Sequence, residues 1–512
     1  MARAALVGSI LLVFACTPTP QSKYGSQPGD DSGSTAIPDG GSTPTPDGGG
    51  VTPDAGSTST PDGGGATPDG GTVSNADACS AIAQSATDPE ALSDTIACLH
   101  SDATEAVKST AVGTFVQTVD QRGGFPIADG ANVDFVYVAS YDPSASDHSG
   151  ALQVAGDFDS WTPSAALTDE GGLADLKLPV ADAQRKGSHY KLVTSGGTYF
   201  ADPLARRFQF DDNGEFSIIE GSDTASHLEW IRDVHATELN NDRPIYLYVP
   251  AGYESSTARY PVVYMHDGQN LFDARMPDAA PTSWDADQVA DQEISAGNVM
   301  PFIIVGIPND SNRFGEYTMT TDDLGTAQSP QIVGGDGAKY ADFIVHDLKP
   351  LIDERYRTLP DKANTGILGS SLGGLISYEI GLKYPDVFGK VGGMSSTFDW
   401  GSIGQHNQTC LDRYHASTAL SPTDGQIFYL DTGGGPQVTS SCPEDNYAVT
   451  LQMQQILESK GFKTYPDDPT ATHITPPDAN IEEYYAPCAP HDESSWNARL
   501  YMVLRFFFRI PG

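Results

Sequence analysis

Cysteine is scarce in this chain: six residues in 512. None stands at the paired spacing of a zinc site, so a structural zinc module is excluded. Positive charge is scarce too, with 28 Lys and Arg against 68 Asp and Glu and a net charge of −40. Such a surface repels nucleic acid and anionic lipid. Long apolar runs are almost absent. The one candidate, Leu6 to Ala15, is too short for a permanent membrane span. No phosphate loop, metal cluster or dinucleotide fingerprint occurs, so no cofactor and no metal are expected.

What is present changes along the chain. The start, MARAALVGSILLVFAC, reads as a secretory signal. Val13-Phe14-Ala15-Cys16 resembles a bacterial lipobox, with Phe14 an imperfect fit. It implies export and lipidation of Cys16, anchoring the chain to a bacterial cell membrane, at the outer membrane or cell surface; an ordinary cleaved signal with Cys16 incidental is the alternative. Residues 17–77 carry PDGG at 38–41, 46–49, 61–64 and 68–71 and almost nothing apolar. Such a segment has too little to bury to offset its ordering entropy, and reads as an acidic tether.

Residues 78–118 read as a small helical segment, with DPEALSDTIACL at helical spacing after an Asp-Pro start. Cys79 and Cys98 bracket it, and in an exported chain they are expected to pair. Residues 123–222 hold short β-rich runs broken by Gly, Pro, Asp and Ser, which predict a β-sandwich. Within it VAGDFDSWTP and YFADPLARRF resemble the immunoglobulin-like modules that precede glycogen-branching and isoamylase-type enzymes. The resemblance makes Trp161 a candidate for stacking on a sugar; a core role is the competing expectation.

From residue 228 to 512 strands alternate with helices, predicting a doubly wound α/β sheet whose site lies at the strand C-termini. At its centre, GILGSSLGGL contains Gly369-x-Ser371-x-Gly373, the pattern of a nucleophile elbow. A buried strand (TGILGS) meets a helix (LGGLISYEIGLKYP) there, the context an elbow requires; Ser370 is out of register. Beside it, YPVVYMHDGQNLFD, VGIPNDSNRFGEYT and HDESSWNARL complete a pattern, in order over about 280 residues, that resembles one esterase branch of the α/β-hydrolases. That branch includes esterase D, feruloyl and acetyl-xylan esterases, enterochelin-type siderophore esterases and mycolyltransferases.

The resemblance implies a serine esterase whose residues run Ser, acid, His. Ser371 would be the nucleophile and His491, in a loop before the last helix, the base. His266, His346 and His473 are the rivals, of which His266 is the strongest. The acid is open: DTGGGPQVTSSCPEDNYAV departs from the family pattern, so Asp445 ranks first, Asp431 second and Glu444 third. Leu372 and, by analogy, Gln269 would offer the backbone N–H groups of an oxyanion hole. Arg313, Phe314, Tyr317, Phe398 and Trp400 lie on loops expected to border the substrate. Cys442 and Cys488 each stand three residues before a triad candidate, so a bridge between them would tie acid to base; Cys410 paired with either is the alternative.

The expected function is a surface-anchored hydrolase of acyl esters on polysaccharide, feruloyl or acetyl. Its partners would be that substrate and, through the lipid alone, a membrane. Siderophore esterase, sugar acyltransferase and a glycan-binding lipoprotein with an inactive hydrolase domain are the alternatives.

Overall fold

The computed structural model describes residues 79–325, 329–402, 408–465 and 480–510. Cys16, the 17–77 segment and His473 lie outside them.

Helices Asp88–Leu99 and Glu105–Arg122 pack as a pair, joined to the segment before them by the Cys79–Cys98 disulfide. The second helix runs four residues past the boundary expected from sequence. Thr87 and Thr104 cap the two helices, each hydroxyl accepting from a first-turn N–H. Next come two antiparallel sheets. One holds Ile127–Asp129, Asn132–Tyr137, Ala174–Pro179 and Thr168–Asp169. The other holds Leu152–Gly156, His189–Thr194, Gly214–Ile218 and Arg207–Asp211.

The sequence NVDFVYV explains the layering. Alternate residues of a strand face opposite sides. Val133, Phe135 and Tyr137 join Leu152, Val154, Tyr190 and Leu192 in the core between the sheets. Val136 and Val138 point the other way, onto Phe115, Val116 and Val119 of the helix pair. The strand Asn132–Tyr137 is thus buried on both faces, which accounts for its nearly continuous apolar run.

The C-terminal part contributes eight main strands: β1 His227–Ala236, β2 Asn241–Val249, β3 Val262–His266, β4 Ile303–Ile307, β5 Thr365–Ser370, β6 Lys390–Met394, β7 Ile427–Thr432 and β8 Ile481–Tyr485. They lie in the order β1-β2-β4-β3-β5-β6-β7-β8. β1 and β2 are antiparallel to their neighbours, and β3 to β8 are parallel. This is the α/β-hydrolase architecture expected from the sequence. Helices α1 Ala286–Ser295, α2 Leu372–Lys383, α3 Tyr447–Ser459 and α4 Glu493–Phe507 cover both faces. Val263, Met265 and Leu368 pack with α1 and α4; Val262, Tyr264 and Ile367 pack with α2, α3 and the helical stretch 337–355.

The sandwich and the α/β sheet share one continuous ladder. Arg207 and Phe208 pair with Glu229 and Leu228 of β1. The expected break at 222–228 is therefore a turn inside a joined sheet. The Arg206 and Glu229 side chains bond across it at 2.9 Å.

Candidate active site

The parallel strands end on one edge, and the loops beyond that edge carry the chemistry. Ser371 sits between β5 and α2 with φ 56° and ψ −122°, a region that costs a non-glycine residue free energy. Its N–H donates to the Met394 carbonyl at 2.9 Å, pinning the turn to β6. Gly369 is required by crowding: a Cβ there would lie 2.6 Å from the backbone carbon of Gly373. Ser370 instead closes the β5 ladder opposite Met394, its side chain buried. Leu372 is the first residue of α2, where an N–H has no acceptor within its own helix.

His491 follows β8 in the loop leading to α4. Its Nδ1 lies 2.6 Å from Asp445 Oδ1. A carboxylate only accepts, so the shared proton sits on Nδ1 and Nε2 is left as the basic nitrogen. The Trp496 ring stands edge-on to the imidazole with centroids 5.0 Å apart. Asp445 is fully buried. Its Oδ2 accepts from Ser395 Oγ at 2.6 Å and from the Gly433 N–H. Ser395 Oγ in turn accepts from Arg499 at 3.0 Å and from Trp496 Nε1 at 3.2 Å.

The three acid candidates are thereby separated. Asp431, at the end of β7, meets Arg499 at 3.1 Å and Tyr429 OH at 3.1 Å. Burial pushes its carboxyl above the ordinary range, with Arg499 opposing. Asp431 is the counter-charge of Arg499, one step behind Asp445. Glu444 is half-buried beside Asp445, and no contact between it and His491 occurs among the described residues.

The glycines that break the family pattern mark where acid and base loops converge. A Cβ on Gly433 would lie 2.3 Å from the Ala489 carbonyl oxygen and 2.5 Å from Asp445 Oδ2. The Gly434 N–H donates to that carbonyl at 3.0 Å, and the Cys488 N–H to the Gly434 carbonyl at 2.7 Å. The Cys442–Cys488 disulfide clamps the same two loops, and Cys410 is free and buried.

Gln269 lies in the one-turn helix Gly268–Asn270 after β3, its side chain accepting from the Asn309 N–H at 3.2 Å. This turn starts from Asp267, whose φ is 56°. Arg313 holds the Asp267 carboxylate through two bonds of 2.8 and 2.7 Å, and Tyr317 OH accepts from the Asp267 N–H at 3.0 Å. Asn270 reaches Glu493 at 3.3 Å, tying this turn to the start of α4.

Three expected substrate contacts are corrected. Tyr317, Phe398 and Trp400 are buried, and each ring packs inward. Phe398 lies edge-on to Tyr378 at 4.7 Å, and Trp400 donates to the Thr320 carbonyl at 2.8 Å. They hold loops in place. Arg313 and Phe314 are half-buried, and Arg313 spends its guanidinium on Asp267. Phe398→Ala is expected to cost about 3–5 kcal/mol in a urea titration, the usual result of emptying a fully packed aromatic site. Among the rival histidines, burial pushes His266 down to about 3, and it bonds Tyr340 OH at 2.9 Å. It is neutral and enclosed at pH 7. His346 packs against Tyr384 on a helical face, at 5.8 Å.

The sequence reading did not single out Ser395, Arg499 and Trp496. The signal for the last two was present, since HDESSWNARL places Trp496 and Arg499 three residues apart on one face of α4.

Residues 236–507 match the family model described as "Putative esterase", and the chain belongs to that family. It is a carboxylic ester hydrolase. It is 27% identical over 223 residues to the uncharacterized protein YbbA of Bacillus subtilis, covering 43% of this chain and 80% of that protein. It is 24% identical over 226 residues to the endo-1,4-beta-xylanase/feruloyl esterase of Xylanibacter ruminicola, covering 41% of this chain and 28% of that protein. The solved enterobactin esterase FES of Shigella flexneri aligns at 15% identity and a TM-score of 0.39, over 73% of this chain and 92% of its own.

Proposed function

We propose that the chain is a serine esterase in which Ser371, His491 and Asp445 form the catalytic triad, acting on feruloyl or acetyl esters of polysaccharide. The observation that carries the reading is the 2.6 Å pair between His491 and the buried Asp445, on the strand edge where Ser371 occupies a strained turn. Ser371 Oγ attacks the ester carbonyl carbon while His491 Nε2 takes its proton. The oxyanion is received by the N–H groups of Leu372 and Gln269. Collapse expels the alcohol, which takes the proton from His491, and leaves an acyl-enzyme. Water, activated by the same imidazole, releases the acid.

The polysaccharide part rests on two supports. One is the likeness to a xylanase/feruloyl esterase. The other is the sandwich surface, where Trp161 is 36% and Tyr199 42% exposed, their rings 6.5 Å apart. Two exposed aromatics suit stacking on sugar rings. A lipid on Cys16 would hold the enzyme at the cell surface, a reading supported by the sequence signal alone.

The test is release of ferulate from methyl ferulate and from feruloylated arabinoxylan, and of acetate from acetylated xylan. Ferulate or acetate release from the polymer is expected. Cleavage of a catecholate siderophore ester with no release from either polymer would overturn the polysaccharide assignment and leave the esterase in place.

A further inference from the structure

Basic residues are few in this chain, yet five arginines line one cavity of about 650 Å³: Arg122, Arg206, Arg207, Arg355 and Arg357. The cavity lies at the seam. Its walls come from the end of helix Glu105–Arg122, the strand Arg207–Asp211, β1, the turn after β2 and the segment 351–357. It is not the catalytic edge. The Tyr260 N–H donates to the Arg357 carbonyl at 2.8 Å, just before β3 begins, whereas Asp267 and Ser371 lie beyond the other ends of β3 and β5. A five-residue strand separates the two edges by about 15 Å.

Three carboxylates, Glu229, Glu254 and Glu354, line the cavity with the five arginines, which leaves an excess of positive charge. Glu229 answers two of the arginines, at 2.9 Å from Arg206 and 3.1 Å from Arg207, and it also accepts from Tyr356 OH at 2.7 Å. Arg122 is paired with Asp88 at 3.2 Å. Arg355 and Arg357 have no carboxylate within ion-pair distance among the described residues. Arg355 Nη1 and Arg357 Nε are buried donors without an acceptor. Such donors are costly to leave unmade. Burial, and then Arg206, hold the Arg355 guanidinium below its ordinary pKa, while Asp120 and Glu354 act in the opposite sense. Arg357 lies over the Tyr253 ring at 3.7 Å and donates to the Tyr253 carbonyl at 2.5 Å, which fixes its plane.

A cation is the competing occupant, because His227, Glu229 and Glu254 bring ligand atoms within 4.8 Å of one another. The charge distribution argues against it. Glu229 is already shared between two guanidinium groups, and their fixed charges repel a metal ion.

We propose that the seam cavity binds an oxyanion (carboxylate, phosphate or sulfate) carried by a small polar molecule, with Arg355 and Arg357 as its main ligands. A planar guanidinium is suited to two-point recognition of such groups. The volume has room for a monosaccharide and for larger, drug-sized molecules. Because the walls come from both halves of the molecule, occupancy stabilises the seam by mass action. The proposal does not depend on the esterase residues.

The experiment is calorimetric titration and thermal unfolding of the full chain at fixed ionic strength. The probes are glucuronate, glucose 6-phosphate and inorganic sulfate, with glucose as the uncharged control. At least one anion is expected to bind and raise the unfolding midpoint, and glucose is not; the ranking of glucuronate against glucose 6-phosphate separates carboxylate from phosphate chemistry. Arg355→Gln and Arg357→Gln are each expected to weaken binding about 10-fold or more, as loss of a charge-assisted bond does. Arg355→Gln should leave p-nitrophenyl acetate hydrolysis unchanged. Failure of all three anions, equal binding by both variants, or stabilisation by Zn²⁺ or Ca²⁺ alone would overturn the proposal.

Discussion

Ser371→Ala is expected to lower kcat for p-nitrophenyl acetate roughly 10⁶-fold, the scale seen when a serine nucleophile is removed from a triad. The fold should survive. The Ser371 side chain is nearly buried, but the turn is held by its N–H on the Met394 carbonyl and by its own carbonyl, which accepts from the Thr397 and Leu375 N–H groups. Alanine keeps all three backbone bonds. The positive φ is a strain that serine and alanine share, so the unfolding midpoint in urea should move by less than about 1 kcal/mol equivalent. Substrate binding should change little, because the lost hydroxyl acts in the transition state. Retention of more than about one-hundredth of the wild-type rate by a folded variant would remove Ser371 from the mechanism.

How much of this was legible in the sequence depended on where each strand's neighbours lie. β3, β4 and β5 are buried on both faces, so YPVVYMH, FIIVGI and TGILGS stand out as apolar runs. β1 did not stand out. HLEWIRDVHA carries Glu229 and Arg232, which look like surface charges until their partners are known. Those partners, Arg206 and Asp120, come from the sandwich and from a helix more than 100 residues earlier. β8, read as IEEYY, is half-buried near the sheet edge, and its glutamates hide its periodicity. The loop aromatics failed for another reason. Sequence places Tyr317, Phe398 and Trp400 on loops beside the site, but it does not say which way a ring turns. Here the rings are buried in the core. Cys79–Cys98 was legible as a pair bracketing a helical segment; Cys442–Cys488 was legible only through the triad candidates three residues after each cysteine, with Cys410 left open as a partner. The glycine triplet 433–435 was visible but read as an insertion, because its purpose depends on Ala489, more than 50 residues away.

The acid is where sequence could rank and only geometry could separate, and it yields the second large effect. Asp445→Asn is expected to lower kcat about 10⁴-fold while leaving a folded protein. An amide that turns its NH₂ toward His491 Nδ1 forces the proton onto Nε2, where it cannot take one from Ser371. Asp431→Asn should behave in the opposite way. It removes the main counter-charge of Arg499, whose next carboxylate oxygen, on Asp445, is 3.9 Å away. A buried charge pair broken on one side costs about 3 kcal/mol or more. The larger loss is therefore in stability. The fall in kcat should be about 10-fold, transmitted through Ser395 as Arg499 shifts toward Asp445. Measuring kcat and the urea midpoint for both variants gives a crossed pattern: activity lost with stability kept for Asp445→Asn, and stability lost with most activity kept for Asp431→Asn. If the folded fraction of Asp431→Asn were the less active of the two, the acid would have to be Asp431, and the 2.6 Å pair between His491 and Asp445 would describe a resting arrangement that the reaction leaves.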